Sequence, residues 1–166
     1  MRILSLCWGM VAIAICGLAW SQTDDPGADC IDHAEEWFEL PAGLLRAIRL
    51  AEGGWDGLWQ PNTDGTHDLG RAQVNTTWMR TLVGVDANDV ADDACLNAWV
   101  AGHIFASEID SSKHGVWAAV GNYHSRTGRH HWRYRPRVLE VWLKLLVADS
   151  TAENLESRLN SRGTAR

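Results

Sequence analysis

Glu52 is the side chain whose position carries the most chemistry. It falls in line with Leu44, Leu45 and Ile48 at the i, i+1, i+4, i+8 spacing of one helical face, so a helix burying those side chains carries the carboxylate inward. It also ends that helix, just before Gly53-Gly54, where the partial negative charge of the last carbonyls disfavours another negative charge. Burial and the helix end act in the same direction and favour a glutamic acid that keeps its proton at neutral pH. Such a group is suited to protonating a leaving-group oxygen. The competing reading is a helix-end glutamate turned to solvent or paired with Arg49. The loop that follows places Trp55 and Trp59 beside it, two indoles suited to stacking on the flat faces of sugars.

A largely helical chain is predicted to position these groups. A first helix over residues 30–40 sets Ile31, Ala34, Trp37 and Phe38 inward, with Asp32, Glu35, Glu36 and Glu39 toward water. Pro41 starts a second helix, where its missing N–H is harmless, and Gly53-Gly54 stops it. Residues 55–70, rich in Gly, Asp, Asn, Thr and Trp, read as an irregular loop or short hairpin. Helical pattern resumes near Thr76, and residues 85–94 read as a polar connection. Further helices are expected over 95–109 and 116–123, with a last one over 136–148 opened by Pro136 and turning Val138, Leu139, Trp142, Leu145 and Leu146 inward. No strand alternation is evident. The fold class is therefore mainly α, with one domain over 30–148, a flexible lead over 22–29 and a polar tail over 149–166.

With 166 residues, 46% hydrophobic and 22% charged, the chain has ordinary globular usage, which excludes disordered and fibrous classes. Arg2, an apolar run over residues 3–18 and the small residues Ala19 and Ser21 have the layout of a signal peptide cleaved near Ser21. Export follows as the expectation. Cleavage removes Cys7 and Cys16 and leaves Cys30 and Cys95 as a pair in an oxidising setting, so one disulfide is expected between them. Residues 22–110 hold four basic against seventeen acidic residues, and residues 111–166 ten against four. The acidic part argues against nucleic acid as a partner, because phosphate binding needs a broad basic surface. The basic stretch from Arg126 to Arg137 has His130, His131, Trp132 and Tyr134 interleaved, and reads as a strip paired with the protein's own acidic half.

The series Glu52-Gly53-Gly54, Asn62-Thr63-Asp64-Gly65, Asp68-Leu69-Gly70-Arg71-Ala72-Gln73-Val74-Asn75, Asp93-Ala94-Cys95-Leu96-Asn97 and Gly121-Asn122-Tyr123-His124-Ser125 resembles, in this order, the soluble lytic transglycosylase family. The similarity is to its small exported members that accompany conjugation, secretion and pilus systems. It spans residues 30–138, and the ordered set with the cysteine pair is more specific than any single motif. The resemblance implies a lysozyme-like fold of the goose-type kind, in a periplasmic monomer acting on peptidoglycan glycan strands without a cofactor or metal. It implies Glu52 as the single catalytic acid and base, and Gln73, Asn75, Tyr123 and His124 as substrate-facing residues. The expected reaction cleaves the β-1,4 bond between N-acetylmuramic acid and N-acetylglucosamine with formation of a 1,6-anhydro sugar.

Three departures from the family pattern touch the site: Gly53 replaces a common serine, Arg71-Ala72 replaces an apolar pair, and Ala101-Gly102 stands where Gly-Ala is usual. Two other functions stay open. A hydrolase would use Asp64 or Asp68 to activate water opposite Glu52, and an inactive glycan-binding module would hold an envelope apparatus to the wall. Seven histidines without a helical pair joined by a glutamate, and without a His/Cys cluster, give no metal site.

Overall fold

A computed structural model describes the backbone over residues 27–163 and the side-chain surroundings over residues 27–155. Residues 1–21, read above as a signal peptide, with Cys7, Cys16, Trp8 and Trp20, most of the segment read as a lead, and the end of the one read as a tail lie outside the described residues. Six α-helices and three short strands run in the order α1 (Ala28–Trp37), α2 (Leu44–Glu52), β1 (Trp59–Pro61), β2 (His67–Leu69), β3 (Val74–Asn75), α3 (Ala87–Asp92), α4 (Ala94–Ser111), α5 (Val116–His124) and α6 (Gly128–Gly163). Among these residues no helix is long and apolar enough to cross a membrane.

The core lies among the helices. Helix α4 packs on α1 and α5, and α6 closes over α5 and α2. Ile31 and Ala34 of α1, Leu44, Leu45 and Ile48 of α2, Ala101 and Phe105 of α4, Val120 of α5 and Val138 of α6 are buried together. Cys30 and Cys95 form the expected disulfide, which ties α1 to the first turn of α4. Asp93 starts α4 by accepting the N–H groups of Cys95 and Leu96.

Several expectations are corrected. In α1 the buried face is Ile31, Ala34 and Glu35, while Trp37 is 73% exposed and touches Trp99 edge-on. Glu35 points inward because its carboxylate accepts the N–H groups of Gly43 (2.6 Å) and Arg46 (3.0 Å), the unsatisfied donors at the start of α2. Burial raises its pKa, against the pull of those bonds. Pro41 lies in a turn before α2 rather than in its first turn. Residues 55–75 form an antiparallel sheet in the order β1-β2-β3, whose strands of two or three residues are too short to show alternation in sequence. The connection over 85–94 contains α3, which buries Val90 and Ala91 behind an Asp86 cap.

The last helix begins eight residues before Pro136 and continues to Gly163, through most of the segment read as a tail. Proline at this point leaves the Trp132 carbonyl without its helical donor. Trp132 and Pro136 both face solvent. From Leu146 to Leu155 the side chains are exposed, so this part of the helix is held by its own backbone rather than by the core.

Candidate active site

Helix α2 delivers Glu52 to the end of a polar groove of about 490 Å³. Gly53 adopts φ 70°, the left-handed conformation that stops a helix, and its N–H closes on the Arg49 carbonyl. The chain then passes so close to the β2–β3 turn that a Cβ on Gly54 would collide with the Gly70 carbonyl and crowd the Gln73 amide. The side chain of Glu52 is only 10% exposed.

Facing Glu52 across the groove are the sheet and the ends of α5 and α6. His124 brings Nδ1 to 3.4 Å from Glu52 Oε1, and its ring stacks on Tyr134 at 4.5 Å with 8° between planes. The carboxylate raises the His124 pKa above 6.5, against partial burial. The phenol of Tyr134 is buried, and burial together with the nearby Glu52 charge pushes its pKa well above 10. Tyr123 is likewise pushed up by burial and by the charges of Glu52 and Asp68. Both phenols therefore keep their protons beside the carboxylate at any physiological pH.

The opposite wall is built from backbone and amide contacts. Asn97, fully buried, accepts the Ala72 N–H (2.8 Å) and donates to the carbonyls of Leu69 and Val90 (both 2.9 Å). From the other side, the Tyr123 hydroxyl donates to the Ala72 carbonyl at 2.9 Å. The two peptide groups flanking Ala72 are thus held from two helices, which fixes the turn that presents Gln73. Gln73 holds φ 52°, and its amide nitrogen donates to the Gly70 carbonyl at 2.8 Å. Asn75 donates to Asp68 (2.7 Å) and Thr66 (3.0 Å), and its oxygen accepts the Thr77 N–H (2.9 Å) and hydroxyl. It caps the 3-10 helix Thr76–Arg80 and orients Asp68 at the same time.

The chain matches no protein-family model. It is 31% identical over 140 residues to invasion protein IagB of Salmonella typhi, a match covering 80% of this chain and 86% of that protein. This chain belongs to the IagB family. A further relative is protein IpgF of Shigella flexneri, 27% identical over 134 residues that cover 76% of this chain and 87% of the relative.

In this IagB-family chain the residues singled out from sequence divide by place. Glu52, Gln73, Asn75, Tyr123 and His124 line one groove. Asp64 and Asp68 line it too, with Asp64 held by the Thr66 N–H and hydroxyl, bonds that lower its pKa. Trp55 (60% exposed) and Trp59, which meets His67 edge-on, are exposed but do not line that groove. The Tyr123 hydroxyl is engaged by the Ala72 carbonyl. Arg71 forms a two-point pair with Asp56, Nε to Oδ1 at 2.5 Å and Nη2 to Oδ2 at 2.8 Å, which depresses the Asp56 pKa. Arg49 is buried near that pair, and desolvation with the Arg71 charge lowers its pKa to about 10.

Sequence reasoning missed Tyr134 and His130, which α6 brings to the groove region: His130 lines the groove and Tyr134 carries the His124 ring. The signal was present. With the helix started at Gly128, residues 130, 134 and 138 fall at i, i+4, i+8 on one face.

Proposed function

We propose that this protein is a peptidoglycan lytic transglycosylase of the soluble, lysozyme-like kind, exported to the periplasm after cleavage near Ser21. It cleaves the MurNAc-β-1,4-GlcNAc bond, leaves a 1,6-anhydro-MurNAc end, and opens the wall locally for a secretion, conjugation or pilus apparatus. The observation that carries this reading is a nearly buried glutamate at a helix end, opening on a groove lined by amides, hydroxyls and carboxylates. Such a surface matches the donors and acceptors of sugar hydroxyls and acetamides. A relative named as an invasion protein fits work at the cell envelope.

In this mechanism Glu52 donates its proton to the glycosidic oxygen as the C1–O bond breaks, and GlcNAc leaves with a free hydroxyl. The carbonyl oxygen of the substrate's N-acetyl group stabilises the positive charge at C1, so no second protein carboxylate is required. The Glu52 carboxylate then takes the proton of the C6 hydroxyl as that oxygen bonds to C1. No water is consumed. Gln73 and Asn75 hold the acetamide and hydroxyls from the turn wall, His124 lines the opposite lip, and Trp55 and Trp59 offer stacking faces beyond the groove.

A second reading is a muramidase, favoured by the presence of Asp64 and Asp68 in the groove with Glu52. Mass spectrometry of digested sacculi separates the two: transglycosylation gives ends lighter by one water than the reducing muramic acid left by hydrolysis. Glu52→Gln is expected to lower cleavage by about 10²–10⁴-fold while sacculus binding persists. Undiminished cleavage by that variant rejects Glu52 as the acid, and binding without cleavage by the native protein identifies a glycan-binding module instead.

A further inference from the structure

The acid proposed above needs a proton on Glu52, yet the structure places an imidazole against that same carboxylate. His124 Nδ1 stands 3.4 Å from Oε1, with the Glu52 side chain 10% exposed and that of His124 40% exposed. The imidazole lies parallel to the Tyr134 ring at 4.5 Å between centroids, with Nδ1 turned toward Glu52. The Tyr134 hydroxyl is itself buried without a hydrogen-bond partner of good geometry. His124 sits at the C-terminal end of α5, where the helix dipole also favours a cation.

We propose that His124 is a positioning residue that stores the proton Glu52 uses: the two side chains hold one proton between them, and a filled groove moves it to the carboxylate. This rests on the reading of Glu52 as the acid. In the open groove the pair is charge-separated, imidazolium against carboxylate, because water stabilises both ions. A sugar seated in the groove expels that water and raises the cost of separated charge. The Nδ1–H bond breaks, an O–H bond forms on Glu52, and a neutral imidazole faces a neutral carboxylic acid. After Glu52 has protonated the glycosidic oxygen and taken the C6 hydroxyl proton, the pair again holds one proton and returns it to Nδ1 when product leaves. No co-reactant is needed.

Charges on three neighbouring elements bear on the titration of the imidazole. The Glu52 carboxylate of α2, 3.4 Å away, raises the His124 pKa, and the charge of Asp68 of β2 raises it further. Arg137 of α6 and desolvation lower it. The His130 ring lies 6.5 Å away, and Tyr123 precedes it on its own helix. Because the folded pKa lies above the ordinary value, the pairing stabilises the fold at pH below about 6.5. That contribution is lost as pH rises through the folded value.

Two measurements test this on the full mature chain. The first is the imidazole titration of His124 by NMR in the native protein and in Glu52→Gln. Its midpoint is expected to fall by at least about one pH unit in the variant, and an unchanged midpoint overturns the shared proton whether or not the protein cleaves glycan. The second is the pH profile of anhydro-product release by His124→Asn, checked by circular dichroism for native folding. Its alkaline limb is expected to move at least about one unit downward, with roughly tenfold loss at neutral pH that is recovered in acid. A uniform loss at all pH values, with the limb in place, shows a merely structural side chain and overturns the proposal. Reducing ends instead of anhydro ends reject the transglycosylase reading while the titration still decides the pair.

Discussion

Asn97 shows how one buried amide serves a site that it does not touch. Its three hydrogen bonds reach β2, α3 and the turn at Ala72, and all three partners are backbone groups. Truncation leaves a donor and two acceptors unpaired in the interior, each of which carries a desolvation cost. Asn97→Ala is expected to destabilise the fold by about 3 kcal/mol or more in urea unfolding. Stability within about 0.5 kcal/mol of the native protein would show that water replaces the amide and that the turn does not depend on it. The inward placement of Glu52 was legible because its helical partners Leu44 and Ile48 are its near neighbours in the chain. The bonds of Asn75 to Asp68 were not, since they depend on the β2–β3 register that pairs those two residues.

At the scale of elements, the end of α2 and the sheet are fitted to one another by the absence of a side chain. Gly54 crosses over Gly70 with its N–H on the Arg71 carbonyl, at a separation that excludes a Cβ. Gly54→Ala must therefore push the β2–β3 turn away from α2, carrying Gln73 with it. The expected outcome is about 1–3 kcal/mol of destabilisation, together with a larger fall in glycan cleavage than the unfolded fraction explains. Equal losses of stability and activity would separate the turn from the site. Helix α6 was the element least legible in advance. Pro136 reads as a helix start, whereas the helix tolerates it on the solvent side and uses its first two turns to bring an exposed His130 to the groove and Tyr134 inward.

For the molecule as a whole, the Cys30–Cys95 bridge closes a loop that contains α2, the sheet and α3, hence Glu52 and the turn wall of the groove. With a sequence separation of 65, the chain-entropy account gives about 4 kcal/mol from restricting the unfolded state. Cys30→Ser with Cys95→Ser is expected to lower the melting temperature by more than about 10 °C. Reductant should lower the native protein's midpoint by the same amount. An unchanged midpoint in reductant would show that packing of α1 on α4 holds the loop without the bond. The charge asymmetry also resolves at this scale: Arg126 of the basic stretch pairs with buried Glu108 of α4 at 2.6 Å, and Arg135 lies over the Trp132 ring.

The sequence by itself determined what is local: the helical class, the inward face of α2, the glycine stop that leaves Glu52 at a helix end, and the cysteine pair. The first three follow from spacings of a few residues, where backbone geometry alone relates one side chain to the next; the pair, 65 residues apart, follows from the two cysteines left once the segment read as a signal peptide is set aside. The tertiary structure decided which distant segments meet. Glu35 faces inward because the start of another helix needs its oxygens, and Trp37 is displaced to the surface in consequence. His124 reaches Glu52 and lies on Tyr134 because α5 and α6 pack together and close over α2. No periodicity encodes those meetings, since they arise from burying three helical faces in one core.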